Sequence, residues 1–236
     1  MIAISQPTYL PWIGYFNLII NSNKFIFLDD VQFDKRSWQQ RNKIKSNLGE
    51  QIISVPVKTK GKRDQLLKDV VVDDQNFFKK HLKTIQTNYS KTKYFKKIFP
   101  LFESIEKEIN KELHLSNINI ILINLILEIL NIKRKIILSS KLDITGEKTS
   151  KLINICNFLG DKKYLANPGA INYLEKDMNI INSNNIELYV LNYKDIKYQQ
   201  YYNGFLSHLS IIDLLFNEGK DSVNILSSSF NIKKIN

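Results

Sequence analysis

The sequence predicts an α/β fold with a mostly parallel sheet and helices on both faces. Strand and helix patterns alternate at both ends of the 236-residue chain, which is typical of parallel sheets covered by crossover helices. The chain is 43% hydrophobic and 24% charged, the composition of an ordinary globular domain rather than of a disordered segment. We therefore expect a chain that folds around a substantial hydrophobic core.

The amino-terminal unit is a strand, a loop, a helix and a second strand. A short apolar run at 2–5 precedes a loop with two prolines, and apolar residues recur at helical spacing over 12–22. A second apolar run at 25–28 ends in Asp29 and Asp30. This order predicts a right-handed parallel unit whose strand ends carry polar side chains.

The rest of the chain divides into a core, an insert and a tail. We assign 1–75 and 132–225 to the α/β core, 76–131 to a helical insert of three segments, and the polar 226–236 to a loosely ordered tail. Within the core, strands are predicted at 51–57, 70–74, 135–140 and 187–193, and helices at 147–159, 168–175 and 209–219.

The charge balance is basic. Lys and Arg number 34 against 23 Asp and Glu, a formal charge of +11, which suits phosphorylated small molecules, nucleic acid or anionic lipid. The chain is also rich in Ile, Asn and Lys, so the codon bias of an AT-rich genome explains part of the lysine excess equally well. Because no RNA- or DNA-binding motif is present, we do not expect a nucleic-acid partner.

The cysteine and hydropathy patterns indicate a cytoplasmic protein. The single Cys156 excludes an intramolecular disulfide and a cysteine-based zinc cluster, which fits a reducing cytosol. The most apolar stretch, 117–132, is interrupted by polar residues and is shorter than the roughly 20 residues needed to cross a bilayer. No pair of histidines has the spacing of metal ligands, so we assign no metal site.

The first candidate site is the segment QPTYLPWIGYF at 6–16, where the first strand meets the first helix. Ligands of open α/β sheets gather at the carboxyl ends of strands, where helix amino termini offer free N–H groups. We expect Gln6 and Tyr9 to face that crevice. The alternative is a rigid Pro-Thr-Tyr-Leu-Pro turn whose neighbouring aromatic side chains fill the core.

The second candidate site is the segment at 28–45, in which two acids at a predicted strand end, Asp29 and Asp30, are followed within 35–45 by five cations and a tryptophan. Arginine binds phosphate oxygens bidentately, and an aromatic ring can stack on a base or sugar. Asp29 or Asp30 would act as a base or hold Mg²⁺ between phosphates. The alternative is a solvated cationic surface beside an acidic strand end. The predicted substrate-binding residues here are Gln32, Lys35, Arg36, Trp38, Arg41, Asn42 and Lys43.

Two further groups of hydroxyl residues follow or precede regular elements. Ser139, Ser140 and Lys141 directly follow a predicted strand and would place hydroxyls and an ammonium at the same sheet edge. An ordinary polar turn explains them equally well. Ser210 and Asp213 form an S-x-x-D pattern at the start of the last helix, which favours a capping role over catalysis.

His81 is the preferred acid or base among the three histidines. Three lysines, Lys79, Lys80 and Lys83, neighbour it on one predicted helix, and their charge would lower its pKa and leave a neutral imidazole near pH 7. The alternative is an isolated surface histidine.

A series of sequence blocks resembles one known family. The blocks are QPTYLPWIGYF, FIFLDDVQFDKRSWQQRNKIK, ISVPVK, KKHL followed by NYSKTKYF, LSSKL, and FLSHLSIIDLLFNEG. They occur in this order, cover residues 2–219 and resemble the WbqC-like protein family. One departure is Ser5, where many members of that family carry a histidine before the Gln-Pro pair.

The resemblance implies a transferase of surface-polysaccharide (O-antigen) biosynthesis. Members are encoded among genes for surface glycans, and a glycyl or aminoacyl transfer to an amino sugar has been suggested for them. The implied substrate is a dTDP- or UDP-linked amino sugar. The implied donor is an acyl carrier protein, a CoA thioester, or an adenylate made from ATP and Mg²⁺. In such a reaction the sugar amine attacks an activated carboxyl group while His81 or Asp29 takes the proton.

A looser similarity links the order of elements to nucleotidyltransferase-like ligases such as pantothenate synthetase. It implies a nucleotide-binding core of the Rossmann or nucleotidyltransferase-like type. An ATP-dependent adenylating ligase and a non-catalytic module that binds nucleotide sugars therefore stay open as alternatives to the transferase.

Overall fold

The computed structural model describes residues 1–194 and 196–236, which form one large sheet, one hairpin and ten helices within these ranges. The strands are β1 (Ile2–Ser5), β2 (Lys24–Phe27), β3 (Arg41–Ser46), β4 (Gly49–Ser54), β5 (Lys135–Leu138), β6 (Lys163–Ala166), β7 (Glu187–Tyr193) and β8 (Phe230–Lys234). The helices are α1 (Ile13–Ile20), α2 (Phe77–Tyr89), α3 (Phe95–Ser104), α4 (Glu106–Lys111), α5 (Leu115–Ile129), α6 (Lys148–Phe158), α7 (Ile171–Leu174), α8 (Met178–Ser183), α9 (Ile211–Glu218) and α10 (Ser222–Ser228).

The large sheet has the strand order β5-β2-β1-β6-β7-β8. Its first five strands are parallel, and only β8 runs antiparallel, beside β7. The parallel pairing of β1 with β2 confirms the predicted strand-helix-strand unit. The carboxyl ends of β5, β2 and β1 are neighbours, so the polar residues that follow these strands are brought to one edge of the sheet.

Both faces of the sheet are covered. Successive side chains of a strand point to opposite faces: Ala3 and Phe25 belong to a cluster with α1, the helices of 77–129 and α9, whereas Ile4 and Ile26 belong to a second cluster with α6 and α8. The prediction of an α/β fold with helices on both faces is therefore confirmed.

The helical segment at 76–131 shares its hydrophobic cluster with the sheet. It contains four helices instead of the three predicted, because α3 ends at Ser104 and α4 begins at Glu106. On α5 the buried Asn119 amide donates hydrogen bonds to the carbonyls of Pro7 (3.1 Å) and Gln39 (2.8 Å). No helix within the described residues is long and apolar enough to cross a membrane.

Only β4 of the β3–β4 hairpin was predicted from the sequence. The antiparallel register of the hairpin pairs Arg41 with Ser54 and Ser46 with Gly49, whereas the sequence predicts a strand at 51–57 and none at 41–46. The sequence RNKIKS does not indicate a strand, because Ile44 is its only apolar residue and apolar and polar side chains do not alternate. The buried polar side chains of this strand, Asn42, Lys45 and Ser46, make hydrogen bonds instead.

Other expectations for single elements need correction. The segment 70–74 is not a strand: a 3₁₀ turn at Leu67–Asp69 is followed by isolated bridges that join Val57 to Val72 and Val71 to His114. The strand β6 and the helix α8 were not predicted. The segment 226–236 is not a loose tail, because it contains β8, which pairs with β7 and forms the sheet edge.

Candidate active site at the carboxyl edge of the sheet

Asp29 ties the ends of β2 and β5 together. Its carboxylate accepts hydrogen bonds from the Ser140 hydroxyl (2.6 Å) and the Ser140 backbone N–H (3.0 Å). It also lies 3.1 Å from the Ser139 hydroxyl, whose single proton it shares with Asp30. Asp29 is only 5% exposed. The predicted meeting of the acids with Ser139 and Ser140 is thus observed. With two unshared donors and one shared donor on a buried carboxylate, Asp29 positions the strand ends and has little access to a substrate.

Asp30 is the more accessible of the two acids, with a side chain that is 14% exposed. One carboxylate oxygen accepts a hydrogen bond from Ser139, and the other lies 2.7 Å from the Nζ atom of Lys151. Burial raises the pKa of the Asp30 carboxyl, but the hydrogen bonds from Lys151 and Ser139 and the lysine charge outweigh it and leave the pKa below its ordinary value. Asp30 is therefore ionised at neutral pH.

The donor set does not fit a resident magnesium ion between the two acids. The carboxylate oxygens of Asp29 and Asp30 accept hydrogen bonds from two serines, and the Lys151 ammonium occupies the place beside Asp30 that a cation would take. Across residues 1–194 and 196–236, no group of three or more His, Cys, Asp or Glu side chains is arranged to hold a metal.

His81 of α2 and Tyr9 of the loop between β1 and α1 form a buried pair. The Tyr9 hydroxyl lies 2.7 Å from Nδ1 of His81, and the tyrosine is fully buried. Burial lowers the pKa of His81 to about 4, although a hydrogen bond with the Ser54 backbone raises it. A neutral imidazole was predicted, but the cause is burial rather than the neighbouring lysines. The expectation that Tyr9 faces an open crevice is wrong, because its ring packs against Phe77 and His81.

The Pro-Thr-Tyr-Leu-Pro loop at 7–11 is held by amide side chains from the next segment of the chain. The Asn42 amide donates to the carbonyls of Tyr9 (3.1 Å) and Leu10 (2.7 Å), so Asn42 positions the loop. The Gln39 amide donates to the Gln6 side chain at 2.7 Å, and Gln39 is 2% exposed. The buried Gln39 was not singled out from the sequence, because glutamines are usually exposed and nothing local marks this one.

The predicted cations do not all converge. Lys43 pairs with Glu50 at 2.6 Å. Arg41 lies at the start of β3, and its Nε atom is buried without a hydrogen-bond partner. Gln32 donates to Asp64 at 3.4 Å. Arg36 and Trp38 of the second candidate site are exposed, and so is Lys141, which was predicted beside Ser139 and Ser140.

Lys35 lies at a separate cleft of about 380 Å³. The cleft is lined by Phe33, Lys35, Thr59, Gly61, Lys62 and Arg63. Asp30 and Phe33 are three residues apart, so their Cα atoms are at most about 11 Å apart. The acids and this cationic cleft are therefore neighbours along one segment of chain, but they are two clusters rather than one.

Lys151 is the site residue that sequence reasoning missed. It lies in the first turn of α6 and is 7% exposed. A lysine in a mixed segment such as GEKTSK gives no local signal that it will be buried beside an acid from another part of the chain. Only the packing of α6 on the second face of the sheet brings it to Asp30.

Asp213 is a second buried acid whose role differs from the expected capping box. The Ser210 side chain accepts a hydrogen bond from the Ile212 N–H, as a cap does. The Asp213 carboxylate instead accepts hydrogen bonds from the hydroxyls of Tyr89 (3.0 Å) and Tyr198 (2.7 Å). Burial raises the pKa of Asp213 despite these two bonds. The acid therefore fastens α9 to α2 and to the segment before α9.

This geometry defines a class of protein. It is an α/β protein in which acid, serine and lysine side chains cluster at the carboxyl ends of neighbouring parallel strands. The chain belongs to the WbqC-like protein family, which it matches over residues 6–225, and the identification from the sequence blocks is confirmed. It is similar to the "Uncharacterized protein Rv1507c" of Mycobacterium tuberculosis (strain ATCC 25618 / H37Rv), with 34% identity over 226 residues, which are 95% of this chain and 96% of the relative. No solved structure matches the chain.

Proposed function

We propose that this protein is a transferase of surface-polysaccharide (O-antigen) biosynthesis that moves an acyl or aminoacyl group onto the amine of a dTDP- or UDP-linked amino sugar. Membership of the WbqC-like family supports the biosynthetic context. The observation that carries the catalytic part is Asp30, an ionised and partly exposed carboxylate at a strand end, between Lys151 and Ser139.

In the proposed reaction the amine nitrogen of the sugar attacks the carbonyl carbon of an activated donor. A C–N bond forms, the bond from the carbonyl carbon to the leaving group breaks, and a thiolate or a nucleotide phosphate departs with the electron pair of that bond. The amine proton passes to Asp30, which is more accessible than Asp29. Lys151 keeps Asp30 ionised, and Asp29 is a positioning residue that holds Ser139 and Ser140 in place.

The test uses the full chain, a panel of dTDP- and UDP-linked amino sugars, and three donors: a CoA thioester, a loaded acyl carrier protein, and an amino acid with ATP and Mg²⁺. Mass spectrometry should detect a sugar nucleotide that has gained one acyl group. We expect Asp30→Asn to lower the rate by about 10²- to 10⁴-fold, the usual contribution of a general base. The matched control is Asp34→Asn, which neutralises an exposed acid four residues away and should leave the rate unchanged.

Turnover by the parent protein that persists in Asp30→Asn would remove Asp30 from the catalytic role. Absence of product with every donor and sugar would discard the transferase itself. A non-catalytic module that binds nucleotide sugars is the alternative, and it is favoured by the saturated hydrogen bonds of Asp29 and the burial of His81. A binding module predicts that Asp30→Asn and His81→Ala still bind nucleotide sugars. It also predicts that neither these variants nor the parent protein form a product.

A further inference from the structure

The cleft between the segments 33–35 and 59–63 combines three cations with an aromatic wall. Lys35, Lys62 and Arg63 line it together with Phe33. None of the ion pairs found within residues 1–194 and 196–236 involves these three cations. Like charges that share a cleft repel one another, and a bound polyanion removes that repulsion.

Backbone pairing on both sides fixes the walls of the cleft. The Phe33 N–H donates to the Gln65 carbonyl at 3.0 Å, and the Leu67 N–H donates to the Val31 carbonyl at 2.8 Å. At the other side the Lys58 N–H donates to the Val71 carbonyl at 2.9 Å. The loop that carries Lys62 and Arg63 is therefore anchored at both ends.

A tight turn sets the direction of the loop. The Lys62 N–H donates to the Thr59 carbonyl at 3.2 Å, and Gly61 between them has φ +71°. This left-handed conformation is one that glycine adopts without steric cost. Lys62 and Arg63 directly follow this turn, and both line the cleft together with Lys35.

We propose that this cleft binds a diphosphate group through Lys35, Lys62 and Arg63. The inference rests on the proposed function, because it assigns the diphosphate of the nucleotide substrate to these residues and places the reacting end of the substrate toward Asp30. The volume of about 380 Å³ lies within the range of about 300–1,000 Å³ that is typical of small-molecule sites. Arginine and lysine donate charge-assisted hydrogen bonds to phosphate oxygens.

The experiment measures dissociation constants of the full chain by calorimetry for UDP, dTDP, ATP, inorganic pyrophosphate and uridine. We expect the phosphate compounds to bind more weakly as salt rises, and uridine not to bind. Lys35→Ala, Lys62→Ala and Arg63→Ala should each weaken UDP binding about tenfold. Binding of ATP in preference to UDP would assign the diphosphate to the donor, and the reverse would assign it to the sugar nucleotide.

The matched control is Lys60→Ala, which removes an exposed cation from the same loop that does not line the cleft, and it should change the constant less than twofold. The proposal is overturned if Lys60→Ala weakens binding as much as Lys62→Ala, if uridine binds as well as UDP, or if a single-stranded oligonucleotide binds more tightly than UDP. Because binding is measured without turnover, the two proposals can be tested separately. A failed transfer assay together with a tenfold loss of UDP affinity in Lys62→Ala would reject the proposed reaction and support the diphosphate-binding cleft.

Discussion

The Nζ atom of Lys151 lies 2.7 Å from the carboxylate of Asp30, although the two residues are 121 positions apart in the chain. The same ammonium also donates to the Asp30 backbone carbonyl at 3.2 Å. This pair connects the first turn of α6 to the carboxyl end of β2. It thereby joins the second face of the sheet to the edge where the acids and serines meet.

Replacing Lys151 by Met should destabilise the fold, because it leaves the Asp30 carboxylate partly buried without its countercharge. We expect a loss of about 2–4 kcal/mol in the free energy of unfolding, measured by urea denaturation at neutral pH. The pKa of Asp30 is lower in the folded state than in the unfolded chain, where it is about 4. The ion pair therefore stabilises the fold fully above about pH 4, and this contribution is lost as the pH falls through the folded-state pKa. The difference between the two proteins should therefore narrow in acid.

The double variant Lys151→Met with Asp30→Asn is the control for this prediction. Neutralising the acid removes the unpaired charge, so the double variant should be more stable than Lys151→Met alone. A further loss of stability in the double variant would mean that Lys151 acts through packing rather than through Asp30.

His81 should make the fold sensitive to mild acid. Its pKa is about 4 in the folded state against an ordinary value of 6.5, so the unfolded chain binds the proton first. Stability is full above pH 6.5 and falls as pH drops toward 4, by about 2 kcal/mol at about pH 5 and about 3 kcal/mol in all. Urea denaturation at about pH 7 and about pH 5 measures the loss.

His81→Gln removes this titration, so its stability should change far less over the same pH range. The control is His208→Asn, which replaces an exposed histidine with positive φ by a residue that tolerates that conformation. The acid sensitivity should remain in His208→Asn. An equal pH dependence in the parent protein and His81→Gln would contradict the assignment.

A side chain at Gly14 should destabilise the fold. A Cβ atom there would lie 2.2 Å from the Trp12 indole, and the indole is itself confined by the rings of His208 and Tyr193, at centroid distances of 5.1 Å and 5.6 Å. We expect Gly14→Ala to cost about 1–3 kcal/mol of stability through this overlap. Gly169→Ala is the control, because its nearest contact would be 3.8 Å away. Equal stabilities of the two variants in thermal and urea denaturation would refute the overlap.

Tyr89 should be essential for stability through its hydroxyl group. The hydroxyl accepts a hydrogen bond from the Lys45 N–H at 2.9 Å and donates one to Asp213 at 3.0 Å. Tyr89→Phe leaves a buried N–H and a buried carboxylate short of partners, and we expect a loss of about 2 kcal/mol. Tyr201→Phe, at a tyrosine that is 46% exposed, should change the free energy of unfolding by less than about 0.5 kcal/mol.

Much of the sheet could be predicted because its strands are short apolar runs. The runs at 2–5, 25–28 and 187–193 correspond to β1, β2 and β7 within one residue at either end. The strands β3 and β6 were missed for a common reason. RNKIKS has one apolar residue, and KYLA is a four-residue segment that begins with lysine, so neither displays a period that a local pattern can detect.

The candidate site was predictable only in part, because local sequence patterns do not show which distant residues come into contact. Polar residues at strand ends could be placed at one edge because parallel strands align their carboxyl ends, so Asp29, Asp30, Ser139 and Ser140 were expected together. The burial of His81 and Asp213 could not be inferred, because it depends on which helices pack over them.

The sequence by itself determined the family, the alternation of strands and helices, and the polar residues that follow β2 and β5. These properties follow from apolar residues that recur every two or about four positions and from contiguous sequence motifs. The tertiary structure alone decided that Lys151 neutralises Asp30, that Lys35 shares a cleft with Lys62 and Arg63, and that Asp213 is buried between tyrosines. Each of these contacts joins residues far apart in the chain, and such contacts form only when the packing of whole elements closes the long loops between them.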